Sequence, residues 1–122
     1  MTLKTELQPT FEINLDHKKT RTFEATFLES VDTTFSLLGK SCKQAIYHHL
    51  ENTYGLNRET IPYDVAGFAV ALEALFGKGT LVLEVRIMQQ LHNKTPSFKF
   101  HPRKNRLFFV AYVESLRRFM HA

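Results

Sequence analysis

The chain has 122 residues, of which 43% are hydrophobic and 23% are charged, and 11 are phenylalanine. This length suffices for one domain with its own core, and the mean hydropathy of −0.23 is typical of a globular protein rather than of a membrane protein or a disordered chain. The single cysteine excludes an internal disulfide. Because no signal-like N-terminus or long apolar run is present, we expect a cytoplasmic protein without a membrane span.

Basic residues are concentrated toward the C-terminus. From His92 onward the chain carries seven basic residues and one acidic residue, a net charge of +6. Residues 1–91 carry nine basic and eleven acidic residues, a net charge of −2. A positive surface favours nucleic acid, an acidic protein surface or an anionic membrane as a partner, although a basic helix face in water gives the same pattern.

The hydrophobic pattern divides the chain into two parts. Residues 1–20 show no sustained period and contain Pro9, which predicts a flexible N-terminal arm. Residues 21–122 show helical periods separated by glycine and proline, which predicts a single helical domain. The pattern predicts an all-α fold: a compact bundle of about four core helices plus a basic C-terminal helix.

Two helices are expected in the first half of the domain. From Thr22 to Leu38 apolar residues recur every three or four positions, which predicts an amphipathic helix that Gly39 ends. The second helix is predicted to have Ser41 as its N-cap and to end at Gly55. Its predicted inner face consists of residues at helical spacing: Ala45, Ile46, His49, Leu50 and Tyr54.

The next segment is predicted to hold a loop and a buried helix. Residues 56–62 are largely polar, which predicts a loop, with Pro62 in the first turn of the third helix. That helix has a broad apolar stripe: Val65, Phe68, Ala69, Leu72, Leu75 and Phe76. Gly77-Lys78-Gly79 then predicts a corner between two helices, because glycine adopts left-handed conformations without steric cost.

The segment after this corner fits two periods. Every second residue is apolar, as in a half-buried strand: Leu81, Leu83, Val85 and Ile87. A stripe at helical spacing is present as well: Leu81, Val85, Met88 and Leu91. Because the chain offers no second convincing strand to pair with this one, we predict a helix with the second set as its inner face.

A proline-containing connector and a last helix complete the predicted domain. Pro96 and Pro102 predict an extended connector, and a helix is expected from about Arg103 to Met120. The predicted core draws on every helix before the connector: Phe27, Phe35, Ile46, Leu50, Phe68, Leu72, Phe76, Val85 and Met88.

Several short stretches support a family resemblance. They are LLGKSCKQAIYHHL (37–50), Tyr54-Gly55-Leu56, Ile61-Pro62, ALEALFGKG (71–79) and Leu83-Glu84. Over residues 23–92 the chain resembles the small archaeal domains described as Nitrosopumilus output domains of the fifth type, which occur alone or attached to signalling modules. The resemblance implies regulatory output in signalling, and it brings no catalytic residues with it.

Candidate residues for catalysis or metal binding are few. Cys42 lies near a predicted helix N-terminus, which stabilises a thiolate, but no general base accompanies it. Cys42, His48, His49 and Glu51 lack the spacing that a helical metal site needs. The corner at Gly77 lacks the strand and the longer motif of a phosphate-binding loop. We therefore expect a non-catalytic protein without a cofactor or a metal.

The basic segment after the fourth helix is the predicted contact for nucleic acid or another anionic partner: Lys99, His101, Arg103, Lys104 and Arg106. Phe98, Phe100 and Phe108 are interleaved with it, and their rings suit base stacking as well as docking on the core. We expect regulation through a protein partner first, with a homo-oligomer left open. Nucleic-acid binding is the alternative.

Overall fold

Five α-helices and two short 3-10 turns make up the described part of the chain. The computed structural model describes residues 22–101 and 108–121. Its helices are α1 (Phe23–Ser36), α2 (Lys40–Tyr54), α3 (Val65–Phe76), α4 (Thr80–Lys94) and α5 (Phe108–His121). The 3-10 turns are Arg58–Tyr63 and Gly77–Gly79. No strand occurs within these ranges, so the predicted all-α bundle is confirmed. The predicted arm and residues 103–107 of the predicted last helix lie outside the described residues.

Helix α1 lies at the centre of the bundle and packs against α2, α4, α5 and the first 3-10 turn. Its N-cap is Thr22, whose hydroxyl accepts a hydrogen bond from the Ala25 N–H. Side chains spaced four residues apart form one fully buried face: Phe23, Phe27, Val31 and Phe35. A neighbouring buried stripe consists of small polar residues: Thr26, Ser30 and Thr34. The first two of these hydroxyls donate to the carbonyl four residues earlier, which satisfies them within the helix.

Aromatic rings connect three helices in the core. Phe68 of α3 lies 6.0 Å from Phe27, 6.4 Å from Phe35 and 6.4 Å from Phe109 of α5, measured between ring centroids. The Phe27 ring is edge-on to Phe68, a geometry worth about 0.5–1.5 kcal/mol beyond the burial of each ring. The predicted core is confirmed for a set of buried residues: Phe27, Phe35, Ile46, Leu50, Phe68 and Leu72.

The start of α2 differs from the prediction. Its N-cap is Gly39, with φ +102°, and no side chain caps the helix, so the prediction of Ser41 as N-cap is wrong. The chain reverses between α1 and α2 at the one residue there that tolerates this backbone angle, and the helix therefore begins directly after it. Gly55 ends α2 with φ +68°, as predicted.

The inner face of α2 is also rotated relative to the prediction. Ile46 and Leu50 are buried, while Cys42 and Tyr47 pack partly buried against the core. Three residues of the predicted inner face are exposed: Ala45, His49 and Tyr54. Successive residues of a helix are 100° apart around its axis. The prediction extended the inner face to residues on the wrong side of Ile46 and Leu50, which rotates the predicted face away from the buried one.

The predicted loop before α3 is partly a 3-10 turn, Arg58–Tyr63. Asn57 caps this turn by accepting from the Thr60 N–H, and Pro62 lies inside it rather than in the first turn of α3. Helix α3 is capped instead by Asp64, whose carboxylate accepts from the Gly67 N–H at 3.0 Å.

The predicted corner between α3 and α4 is confirmed. Gly77 has φ +57°, and the Thr80 hydroxyl donates to the Leu72 carbonyl at 3.1 Å. In an uninterrupted helix residues eight positions apart are separated by about 12 Å along the axis, so the chain turns sharply here. The run Val65–Lys94 has the length and apolar composition of a membrane-spanning helix, but it consists of two helices joined at this corner. Composition of this kind is weak evidence for a span, because buried core helices share it.

Helix α4 confirms the choice of helix over strand but exposes part of the predicted inner face. Its buried residues are Thr80, Leu83, Ile87 and Leu91. Val85 is 39% exposed, so its assignment to the core is wrong, and Leu81 of the predicted inner stripe is 65% exposed. Met88 and Phe76 are partly buried against the core. The helix has apolar residues on two faces, and periodicity alone does not select the face that meets α1.

The two faces of α4 predict different effects of the same substitution. Leu83→Ala is expected to lower the free energy of unfolding by about 2–5 kcal/mol, because it leaves a cavity at a buried position. Leu81→Ala, two residues away, is expected to change it by less than about 0.5 kcal/mol. Urea unfolding of both variants measures the difference. Equal effects would contradict the helix, because in a strand both side chains lie on one face.

Candidate protein-interaction surface

Large apolar side chains of α4 form an exposed patch beside α3. Leu81 is 65%, Val82 61% and Val85 39% exposed, and all three lie within five positions of one helix. Val70 of the adjoining helix α3 is 66% exposed. We call Leu81, Val82 and Val85 the outer apolar face. Single exposed apolar residues are ordinary on folded proteins, but a cluster of this kind is typical of contact surfaces.

Two carboxylates accompany the outer apolar face. Glu73 lies one helical turn from Val70 on α3, and Glu84 lies one turn from Leu81 on α4. Burial and the nearby charge of Glu73 together raise the pKa of Glu84 above its ordinary value. No basic side chain of residues 22–101 or 108–121 forms an ion pair with either carboxylate. The surface therefore combines apolar area with two carboxylates that form no ion pair within these ranges.

A polar cluster joins α1, α2 and the first 3-10 turn. The Tyr47 hydroxyl donates to Asp32 Oδ1 at 2.5 Å, and Arg58 Nε donates to both carboxylate oxygens at 3.1 and 3.2 Å. Arg58 Nη2 also donates to Asp32 Oδ2. Burial by itself would raise the pKa of Asp32, but the hydrogen bonds from Arg58 and Tyr47 outweigh it and hold the pKa below its ordinary value.

The same cluster disfavours ionisation of the Tyr47 phenol and favours the protonated, charged form of the Arg58 guanidinium. Burial, and then the hydrogen bond to Asp32, raise the pKa of Tyr47 well above its ordinary value. The hydrogen bond to Asp32 raises the pKa of Arg58. An open groove of about 370 Å³ lies beside the cluster, lined by Ala25, Leu28, Glu29, Asp32 and Arg58. Because the three polar groups of the cluster bind one another, we interpret the cluster as structural.

Arg117 fixes the end of α5 to α1. Its guanidinium carbon lies 4.5 Å from the centroid of the Phe23 ring, and Nη1 lies 3.8 Å from a Glu24 oxygen. Its Nε donates to Glu114 at 3.1 Å, and Nη2 donates to the Pro62 carbonyl. This positive charge, counted in the basic C-terminal region of the sequence, is neutralised inside the domain.

The predicted anionic-partner residues are only partly described. Lys99 and His101 are exposed in the connector that follows α4. Arg103, Lys104 and Arg106 lie outside the described residues. The described ranges hold nine basic and nine acidic residues, so the net charge of +4 resides entirely in the remaining residues.

The phenylalanines of this region pack mainly on the domain itself. Phe98 is buried, with its ring centroid 5.5 Å from Tyr112 and 5.2 Å from Phe119. Phe100 lies 5.3 Å from the same tyrosine ring. Among the rings considered for base stacking, Phe108 is the one that the described structure leaves largely exposed, at 54%.

The other candidate residues are dispersed. Cys42 packs against the core in the first turn of α2. His48 is exposed and hydrogen-bonds to Asn52, with its ring 6.2 Å from that of His49. Within the described part of the chain, no three His, Cys, Asp or Glu side chains are grouped as metal ligands.

No family model, curated protein or solved structure matches this chain. The outer apolar face was not predicted from the sequence, because Val85 was placed in the core and Leu81 on the same inner stripe. The sequence did carry a signal for this surface, because α4 has more apolar residues than one helix face accommodates.

The Asp32 cluster predicts a pH-dependent contribution to stability. The pKa of Asp32 in the folded chain is below the ordinary value of 3.8, so its stabilisation is complete above that pH and is lost as pH falls through the folded-state pKa. At neutral pH, Asp32→Asn is expected to lower the free energy of unfolding by about 1–3 kcal/mol.

Urea unfolding between about pH 7 and pH 2 measures this contribution, and the wild-type and Asp32→Asn curves are expected to converge at the acidic end. Glu51→Gln, at an exposed carboxylate of α2 outside the cluster, serves as the control and is expected to change stability by less than about 0.5 kcal/mol. A difference that stays constant across the whole range would contradict the role of the Asp32 charge.

Proposed function

We propose that this chain is a non-catalytic regulatory domain, of the signalling-output kind that its sequence resembles, and that it acts by binding a protein through the outer apolar face. The supporting observation is the exposure of Leu81, Val82 and Val85 on a helix whose opposite face is fully buried. Covering apolar surface gains about 25 cal/mol per Å², and this gain is available to a partner that covers these side chains.

Helix α5 is the second element to compare as an apolar contact surface. Its inner face is taken up by the core of the same chain: Phe109, Tyr112, Val113 and Leu116 are buried. Phe119 is partly exposed, but its ring lies against Phe98. The outer apolar face therefore supports an interaction role better than α5 does.

A double substitution tests the proposal. Leu81→Glu with Val85→Glu places two charges on the outer apolar face and is expected to reduce partner capture from native cell extract at least about tenfold, because charged groups are costly to bury in an apolar contact. Because both positions are exposed, the thermal unfolding midpoint should change little. Chemical cross-linking followed by mass spectrometry measures the capture, and sedimentation measures self-association.

The matched control is Gln44→Glu with Ala45→Glu, which adds two carboxylates at exposed positions of α2. It is expected to capture the same proteins as the wild type. Equal capture by all three chains, or recovery of nucleic acid without protein, would overturn the proposed function.

Nucleic-acid binding through the basic segment is the second candidate. The described residues are electrically balanced, and three of the remaining basic residues are close together in sequence: Arg103, Lys104 and Arg106. With Lys99 and His101 they offer a short cationic stretch suited to a phosphate backbone.

Salt dependence tests this alternative. If the basic segment binds DNA or RNA, Arg103→Ala with Lys104→Ala should weaken binding and reduce the slope of log affinity against log salt by about 1.8 for duplex DNA or about 1.4 for single strands. Filter binding at several salt concentrations measures the slope. Lys40→Ala with Lys78→Ala, at exposed lysines elsewhere, should leave it unchanged. Absent or salt-insensitive binding by the wild type would remove the alternative.

A further inference from the structure

The charge beside the outer apolar face indicates the chemistry of its partner. We propose, on the basis of the proposed function, that the segment docking on this face is an amphipathic helix whose apolar stripe is flanked by lysine or arginine. In this arrangement the partner's apolar side chains cover Leu81, Val82 and Val85, and its cations meet Glu73 and Glu84.

The two carboxylates lack a partner within the described structure. Glu84 is partly buried, and the charge of Glu73 is close enough to disfavour its ionised form. The nearest basic residues along the chain, Lys78 and Arg86, are exposed and form no ion pair with either carboxylate. A cation supplied from outside would relieve the repulsion between the two carboxylates, and it would be attracted more strongly than at an isolated surface charge.

The spacing of the face suits a helical ligand. On each of the adjoining helices α3 and α4, an acidic residue follows an exposed apolar residue by one turn: Glu73 follows Val70, and Glu84 follows Leu81. Val85 continues the apolar row of α4 by a further turn. An amphipathic helix presents its apolar and charged side chains at the same intervals of three and four residues.

A second copy of the chain is a less suitable occupant. In a two-fold symmetric contact the same surface lies on both sides, so the contact would gather both copies of Glu73 and Glu84. Like charges brought together in this way oppose association, whereas a basic helix neutralises them.

Two synthetic peptides provide the test. The first has about 14 residues, roughly four helical turns, with leucine on one face and lysine on the other, and the second has glutamate in place of every lysine. Fluorescence anisotropy with the full chain is expected to show salt-sensitive binding of the lysine peptide and no binding of the glutamate peptide. Glu73→Gln with Glu84→Gln should weaken binding of the lysine peptide at least about tenfold.

Two control variants separate charge from apolar contact. Glu51→Gln with Glu59→Gln removes two exposed carboxylates elsewhere and should leave binding unchanged. Leu81→Ser with Val85→Ser should abolish binding while keeping both acidic residues. Circular dichroism and thermal unfolding confirm that each variant remains folded.

Three results would overturn the inference. They are equal binding of both peptides, equal binding by wild type and the double Gln variant, and dimerisation of the full chain through this face without peptide binding. None of these results contradicts the proposed function by itself. That function is supported if Leu81→Glu with Val85→Glu abolishes partner capture or self-association. Loss of the proposed function is recognised separately, by capture that is insensitive to that substitution.

Discussion

The fold depends on burial of one face of α1. Phe23, Phe27, Val31 and Phe35 are fully enclosed, and α2, α4, α5 and the first 3-10 turn all pack against this helix. Phe68 of α3 joins them through its contacts with rings of α1 and α5. Since each surrounding helix can turn only one face toward this centre, any apolar residues on a second face remain in contact with water.

Polar contacts fix two edges of the bundle at which hydrophobic packing alone would leave the helices free to slide. Asp32 holds Tyr47 of α2 and Arg58 of the first 3-10 turn, while Arg117 holds α5 against Glu24 and Phe23 of α1. Hydrogen bonds to charged groups have stronger geometric requirements than apolar contacts, so these clusters specify the position of each helix. The charged groups of these clusters form ion pairs with one another. Within the described structure Glu73 and Glu84, near the outer apolar face, form no ion pair.

The sequence predicts the helices well because their signals are local. Glycines mark the ends of α2 and the corner before α4, and the apolar period identifies α1 and α3. The orientation of α4 is not set locally: Leu81 and Leu83 are the same residue type, and only the packing of the folded domain buries one and exposes the other. The Asp32 cluster had no sequence signal either, because its members are 15 and 26 positions apart. The missed part of the candidate surface therefore follows from tertiary packing that periodicity does not encode.

The identity of the exposed residues on α3 and α4 is not explained by the stability of the helices. Val70, Val82 and Val85 lie at exposed helical positions, where the core makes little demand on the side chain. Valine is β-branched and restricted in a helix, so many polar residues would be at least as favourable there by intrinsic propensity. Together with Leu81 these valines expose apolar area that is costly to hydrate and that does not stabilise the helices carrying it. The proposed contact with a partner would account for both properties, because a branched side chain that is already restricted loses little further entropy when it is covered.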